Sequence, residues 1–264
     1  MFSLAIKEGV ATLTLNRAPV NAISEEWLDL FNARLDALAA ERNCNVLHIR
    51  SDQKVFCAGA DLKEVRQRMD APDGADRMFA FVAGIQRLYS RVQRLQQITL
   101  AEIGGAAMGG GLELALACDL RIAANEAKLG LPEARLGLIP GAGGTQRLTR
   151  ICGPALAKRL IFGAEIVDGT TAVELGVVQW SVPRTDLARA AGAIARDMAS
   201  LPGAALAASK TCIAAAENAD REGYVRELEF TRRLFESSDT RRRVDEFLAG
   251  AAAPPVQMKT GAAR

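Results

Sequence analysis

Two glutamates stand among residues that suit a charge badly. In "AMGGGLELALACD" (106–118) three glycines lead into Leu112, Glu113, Leu114, Ala115, Leu116 and Ala117. A carboxylate buried unpaired in such a run costs several kcal/mol or takes up a proton. Glycines 109–111 just before a helix offer backbone N–H donors at the positive end of its dipole. Glu113 then falls in the first turn, where negative charge is favoured, and its side chain can face a cavity rather than oil. A phosphate loop or a tight helix–sheet contact is the competing reading, but neither GxGxxG nor GxxxxGK[ST] is present. In "LGLPEARLGLIPGAGGTQRL" (129–148), Pro132 holds Leu131 extended, Glu133 follows at once, and Pro140 with "GAGG" builds a second rigid turn. Taken alone, that segment also fits a surface glutamate at a helix N-terminus.

A third stretch, "VFCAGADLKE" (55–64), runs an apolar strand end into Ala58-Gly59-Ala60-Asp61. Small residues there let a ligand approach the backbone, and free N–H groups at such a turn hold developing negative charge. The plainer reading is a strand–helix turn capped by Asp61. Two carboxylates that share a water titrate as a unit, and repulsion keeps one proton between them near neutral pH. Adjacent N–H donors would stabilise an enolate-like oxyanion. Such a set suits adding water to, or moving a proton on, a carbon chain activated by a carbonyl.

The rest of the sequence narrows the choice. The only histidine, His48, lies in "NVLHIR", a strand-like run where a core or edge role is expected. Nucleophile triads would have to pass through it, no GxSxG elbow accompanies it, and multi-histidine metal sites are excluded. Lys and Arg number 33 against 31 acidic residues, a balance that carries no bias toward nucleic acid or membrane. No apolar run reaches the roughly 20 residues of a membrane helix. The N-terminus enters strand-like alternation directly, without a signal or transit pattern. Five scattered cysteines with no CxxC fit reduced thiols in a cytoplasm.

The elements that must position the glutamates are α/β in character. A hairpin is expected over Leu4 to Leu15, turning at Lys7-Glu8-Gly9. Ser24 should cap a helix carrying Trp27, Phe31, Leu35 and Leu38 at helical spacing. Short strands are expected at 46–50, 98–103 and 119–123. Residues 63–97 read as a surface helix, a mobile loop at 70–76 and a second helix. Ala-rich helices follow at 186–200, 203–217 and 221–236, then a low-complexity tail at 249–264. The expected division is a core over 1–200 and a helical C-terminal region over 201–264.

"NRAPVNAI" (16–23), "FCAGADLKE", "GGAAMGGGLELALACDLRIAA" and "LGLPEARLGLIPGAGGTQRL" occur in that order. Together they resemble the enoyl-CoA hydratase/isomerase (crotonase) superfamily over roughly residues 1–248. The resemblance implies a superhelix of ββα units, a homotrimer or a hexamer of two trimers, and an acyl-CoA thioester substrate without further cofactor. It also implies oxyanion-hole N–H groups from Ala58 and Gly110, and catalytic glutamates at 113 and 133. The backbone near Ala58, Ala60, Asp61 and Leu62 would line the adenine pocket. Hydration of 2-enoyl-CoA is the activity implied. A Δ3,Δ2-enoyl-CoA isomerase or a hydratase for branched or aromatic acyl groups is the alternative, and an RNA-binding member is disfavoured by the near-neutral charge. Two departures stand out. The last helix has "TRRRVDEFLAGAAAPP" (240–255), so the basic contact to CoA phosphates falls to Arg241–Arg243 or Lys259. Gly104 in "AEIGG" occupies the usual asparagine position.

Overall fold

The computed structural model describes residues 1–41 and 43–216, with residues 238 and 242. The chain divides into two compact units, Met1–Ala199 and Ser200–Arg264.

In the first unit, β1 (Phe2–Lys7) and β2 (Val10–Leu15) form the expected antiparallel hairpin. Its two-residue turn has Glu8 and Gly9 both at positive φ, which matches the twist of the flanking strands. β1 alternates partly buried with exposed residues near its start, as an edge strand does; β2 is buried almost throughout because it is covered on both faces. β2 pairs in parallel with β3 (Val46–Ser51), β3 with β4 (Ile98–Ile103), and β4 with β6 (Leu120–Ala124). The six-stranded order is β1-β2-β3-β4-β6-β9, with β9 at Trp180–Val182. His48 lies on β3 inside this sheet, its Nε2 2.9 Å from Glu102 Oε2 on β4, both side chains buried. A second sheet orders β5 (Ala107–Met108), β7 (Lys128–Gly130) and β8 (Ile166–Asp168).

Helix α1 (Glu25–Ala39) starts at Ser24, whose hydroxyl accepts from the Trp27 N–H. Its buried stripe of Trp27, Phe31, Leu35 and Leu38 follows the helical period. Helices α2 (Leu62–Asp70) and α3 (Gly74–Gln93) leave only residues 71–73 between them, so the loop expected at 70–76 is shorter than its composition suggests. Ala71 turns extended ahead of Pro72, which ends α2, and the chain re-enters helix two residues later. α4 (Gly110–Ala117) is a short buried helix, followed by α5 (Gly144–Phe162), α6 (Gly169–Glu174) and α7 (Arg184–Ala199). In the second unit, α8 spans Gly203–Ala216. The helix expected at 221–236 and the tail at 249–264 lie outside the described residues.

Candidate active site

Glu113 sits on α4, whose residues from Gly111 to Ala117 are all buried. The side chain is 2% exposed. Its Oε1 accepts two backbone N–H groups, from Ala142 at 2.8 Å and Gly144 at 2.7 Å. Gly144 opens α5, so the carboxylate also meets the positive end of that helix. A Cβ on Gly144 would come within 2.9 Å of the same oxygen and of Pro140, which is why glycine is needed there. Burial pushes the Glu113 carboxyl up to about 7, and repulsion from Glu133 adds to it, while the two N–H donors and Arg147 pull the other way.

Glu133 is carried differently. It lies on a 3-10 turn, Pro132–Leu136, with proline at its start, and is only partly buried. Its Oε1 faces Gly109, where a Cβ would come within 2.9 Å, and Gly109 has a φ of 51°. Its Oε2 is buried and accepts no hydrogen bond from the described residues. Burial raises this carboxyl too, opposed only by its own backbone N–H. Two glutamates from distant segments therefore meet across the glycines that begin α4.

The backbone donors divide in a way the sequence did not reveal. Gly110 is the first residue of α4, so its N–H lies outside the helical ladder. The Ala58 N–H, by contrast, donates to the Val20 carbonyl at 3.0 Å. That bond removes Ala58 as a free oxyanion donor and corrects the expectation drawn from the motif. Ile23 bridges Ala60 through the Gly59 carbonyl and the Asp61 N–H, which leaves the Ala60 N–H out of the bridge. A Cβ on Gly110 would stand 3.9 Å from Ala60 N, so the two donors flank one space. Asp61 caps α2 through the Lys63 N–H and pairs with Arg17 at 3.0 Å, while Leu62 is exposed. The AGAD turn thus presents backbone rather than a free carboxylate.

Helix α3 supports the surroundings of Glu113 with one face. Gln86 donates to the Gly141 carbonyl at 2.6 Å, the Tyr89 hydroxyl to the Gly110 carbonyl at 2.7 Å, and Gln93 accepts from Arg147 Nε at 3.0 Å. These supports were missed from sequence; their only signal was helical spacing at 86, 89 and 93. A cavity of about 330 Å³ opens between α2 and α3, lined by Val65, Arg68, Met69, Met78 and Leu138. It borders the Glu133 turn, because the Leu138 N–H donates to the Glu133 carbonyl. The Arg68 charge in that wall is matched by Glu25 and Glu64 and stacks on Phe81, leaving the lining otherwise apolar. At Gly104 an added Cβ would make only ordinary contact with Leu187, so nothing in the structure demands glycine there. Arg241, Arg243 and Lys259 lie outside the described residues.

Paired carboxylates, exposed helix-start N–H groups and an apolar cavity define a site for acid–base chemistry on an activated carbonyl compound. The chain matches the enoyl-CoA hydratase/isomerase family over residues 5–251, and it belongs to that family. It is 42% identical to the mouse mitochondrial methylglutaconyl-CoA hydratase over 193 residues, 72% of this chain and 60% of that protein. An enoyl-CoA isomerase/hydratase of Mycosarcoma maydis is 40% identical over 250 residues, 90% of this chain and 89% of its own. The crystal structure of an enoyl-CoA hydratase from Bacillus anthracis superposes with a TM-score of 0.88 at 34% identity, covering 94% of this chain and 96% of that one. The fold is the mixed α/β crotonase fold. No helix among the described residues is long and apolar enough to cross a membrane.

Proposed function

We propose that the protein hydrates 2-enoyl-CoA thioesters to 3-hydroxyacyl-CoA. The observation that carries this reading is the pair of glutamates, one buried and one partly buried, with unlike supports. Glu113 has two N–H donors on one oxygen, which favours its anion. Glu133 has a buried oxygen with nothing bound to it, and burial raises its carboxyl as it raises that of Glu113 to about 7, so near neutral pH the pair holds one proton between them. Glu113 takes a proton from water as the water oxygen bonds to C3. The C2–C3 π electrons move onto the thioester, whose oxygen becomes an enolate held by the Ala60 and Gly110 N–H groups. Glu133 gives its proton to C2, the carbonyl re-forms, and the proton on Glu113 returns to Glu133 through solvent. General acid–base groups contribute about 10²–10⁴-fold each. An oxyanion donor adds roughly 3–4 kcal/mol.

The apolar cavity that borders the Glu133 turn suits an acyl chain. Coenzyme A enters only as part of the substrate, along the AGAD backbone of Ala58, Ala60, Asp61 and Leu62. Exposed Phe162 (75%) and Ile166 (40%) on neighbouring elements support an assembled form, a trimer or two trimers. The relative named an isomerase/hydratase keeps double-bond migration as the second reading. A screen over short, long, branched and aromatic 2-enoyl-CoA and 3-enoyl-CoA thioesters tests both. Formation of 3-hydroxy products is expected. Migration of a 3-enoyl double bond without any hydration would favour the isomerase.

A further inference from the structure

We infer that Arg147 is a positioning residue for Glu113: held between Gln93 and the Ala142 carbonyl, it fixes the loop that grips the carboxylate and brings a buried positive charge to it. The inference rests on the hydratase reading above.

Arg147 lies one turn into α5 and is 7% exposed. Its Nη1 donates to the Ala142 carbonyl at 2.9 Å, and its Nε to Gln93 Oε1 at 3.0 Å. Ala142 is therefore held on both sides, its N–H by Glu113 and its carbonyl by Arg147. The backbone N–H of Arg147 closes the same turn onto the Gly143 carbonyl. Through Gln93 the guanidinium is tied to α3, the helix that also holds Gly141 and Gly110. Displacing Arg147 would loosen both N–H donors of Glu113 together.

Both hydrogen-bond partners of this guanidinium are neutral. A buried charge bonded to an amide and a peptide carbonyl keeps its field, and Glu113 is the carboxylate that feels it. The other groups around this centre are Glu133 from the 3-10 turn, Tyr89 from α3, and the thiols of Cys57 and Cys118; Arg150 faces Arg147 itself. Burial raises Tyr89 well above its usual range and Cys57 to about 12, so both are neutral through the working pH. Arg147 is thus the cation that opposes burial and Glu133 at Glu113.

The test is the pH profile of kcat/KM for hydration of a short enoyl-CoA by the full-length protein. Its acid limb reports the base in the free enzyme. An opposite charge near a carboxylate lowers its pKa by about 1–3 units, so Arg147→Met should move the acid limb up by about one pH unit. Arg147→Lys keeps the charge and should restore the limb while kcat remains low. Gln93→Glu keeps the partner's shape but offsets the charge, and should also move the limb upward. This variant decides the matter if Arg147→Met fails to fold, because Gln93 ends a helix and is only half-buried. An acid limb at the wild-type position in Gln93→Glu, or in a folded Arg147→Met, overturns the inference. Absence of hydration by the wild-type protein would strike the hydratase reading instead.

Discussion

Glu113 and Glu133 share a chemistry and differ in almost everything that surrounds them. Glu113 is sealed in a helix, with two N–H donors on one oxygen and a guanidinium behind the loop that supplies them. Glu133 rides a short 3-10 turn, partly exposed, with one oxygen against Gly109 and the other unbound. Burial raises both carboxyls, yet the protein supports them in unlike ways. Fixed dipoles on one side and bare burial on the other hold two raised carboxyls by different means.

The largest effect is expected at the proposed oxyanion donors, the N–H groups of Ala60 and Gly110. Ala60→Pro removes one N–H, and loss of such a donor typically costs about 10²–10³-fold in kcat. Ala58→Ser leaves the Val20 bond intact and should be mild. Steady-state kinetics on variants shown folded by circular dichroism checks this. A fully active Ala60→Pro would return the role to Ala58.

The two glycines sharpen the comparison next. Gly144→Ala pushes a methyl against Glu113 Oε1, and Gly109→Ala pushes one against Glu133 Oε1 at a φ of 51°. Each should lower kcat by roughly tenfold or more, in line with the sensitivity of catalysis to small misplacements. Only Gly144→Ala should shift the acid limb of the profile, because only it disturbs the N–H donors of the base. Equal pH profiles for the two variants would erase the distinction between the sites.

A smaller effect is thermodynamic. The folded Glu113 carboxyl is raised to about 7 from 4.5, so the folded state holds its proton more tightly than the unfolded chain does. Stability from this group is fully present below the unfolded value and is lost as pH rises through the folded one, a change on the order of 3 kcal/mol. Glu113→Gln cannot ionise. Its stability relative to wild type should therefore grow between pH 4.5 and pH 7 and level off above. Thermal unfolding at pH 5 and pH 8 measures this. A variant relatively less stable at pH 8 would contradict the buried, raised carboxyl. The smallest effect is expected at His48→Gln, which touches only the sheet interior and should leave kcat within about twofold, since it lies outside the site.

What the sequence made legible follows the range of the interaction. Glu113 stood out because a charge among leucines conflicts with local pattern, whereas Glu133, taken alone, also fitted a surface glutamate at a helix start. The long helices showed through Ser24 and the Trp27–Leu38 stripe. The strands β5, β7, β8 and β9 are two or three residues long, too short to carry a period. Ala58 could not be told from Ala60, because the choice depends on Val20 arriving from another segment to occupy one N–H. Arg147 and Gln93 are 54 positions apart, and no local pattern joins them.

The most direct test of the account is the double variant. Glu113→Gln and Glu133→Gln should each lower hydration of crotonyl-CoA by at least about 10²-fold, the low end of an acid–base contribution, with thioester binding nearly intact. Because the pair acts as a unit, the double variant should lose far less than the product of the two single losses. The assay follows disappearance of the conjugated-thioester absorbance and identifies a 3-hydroxy product. Near-wild-type hydration by Glu113→Gln, or fully multiplicative losses in the double variant, would contradict the two-glutamate mechanism.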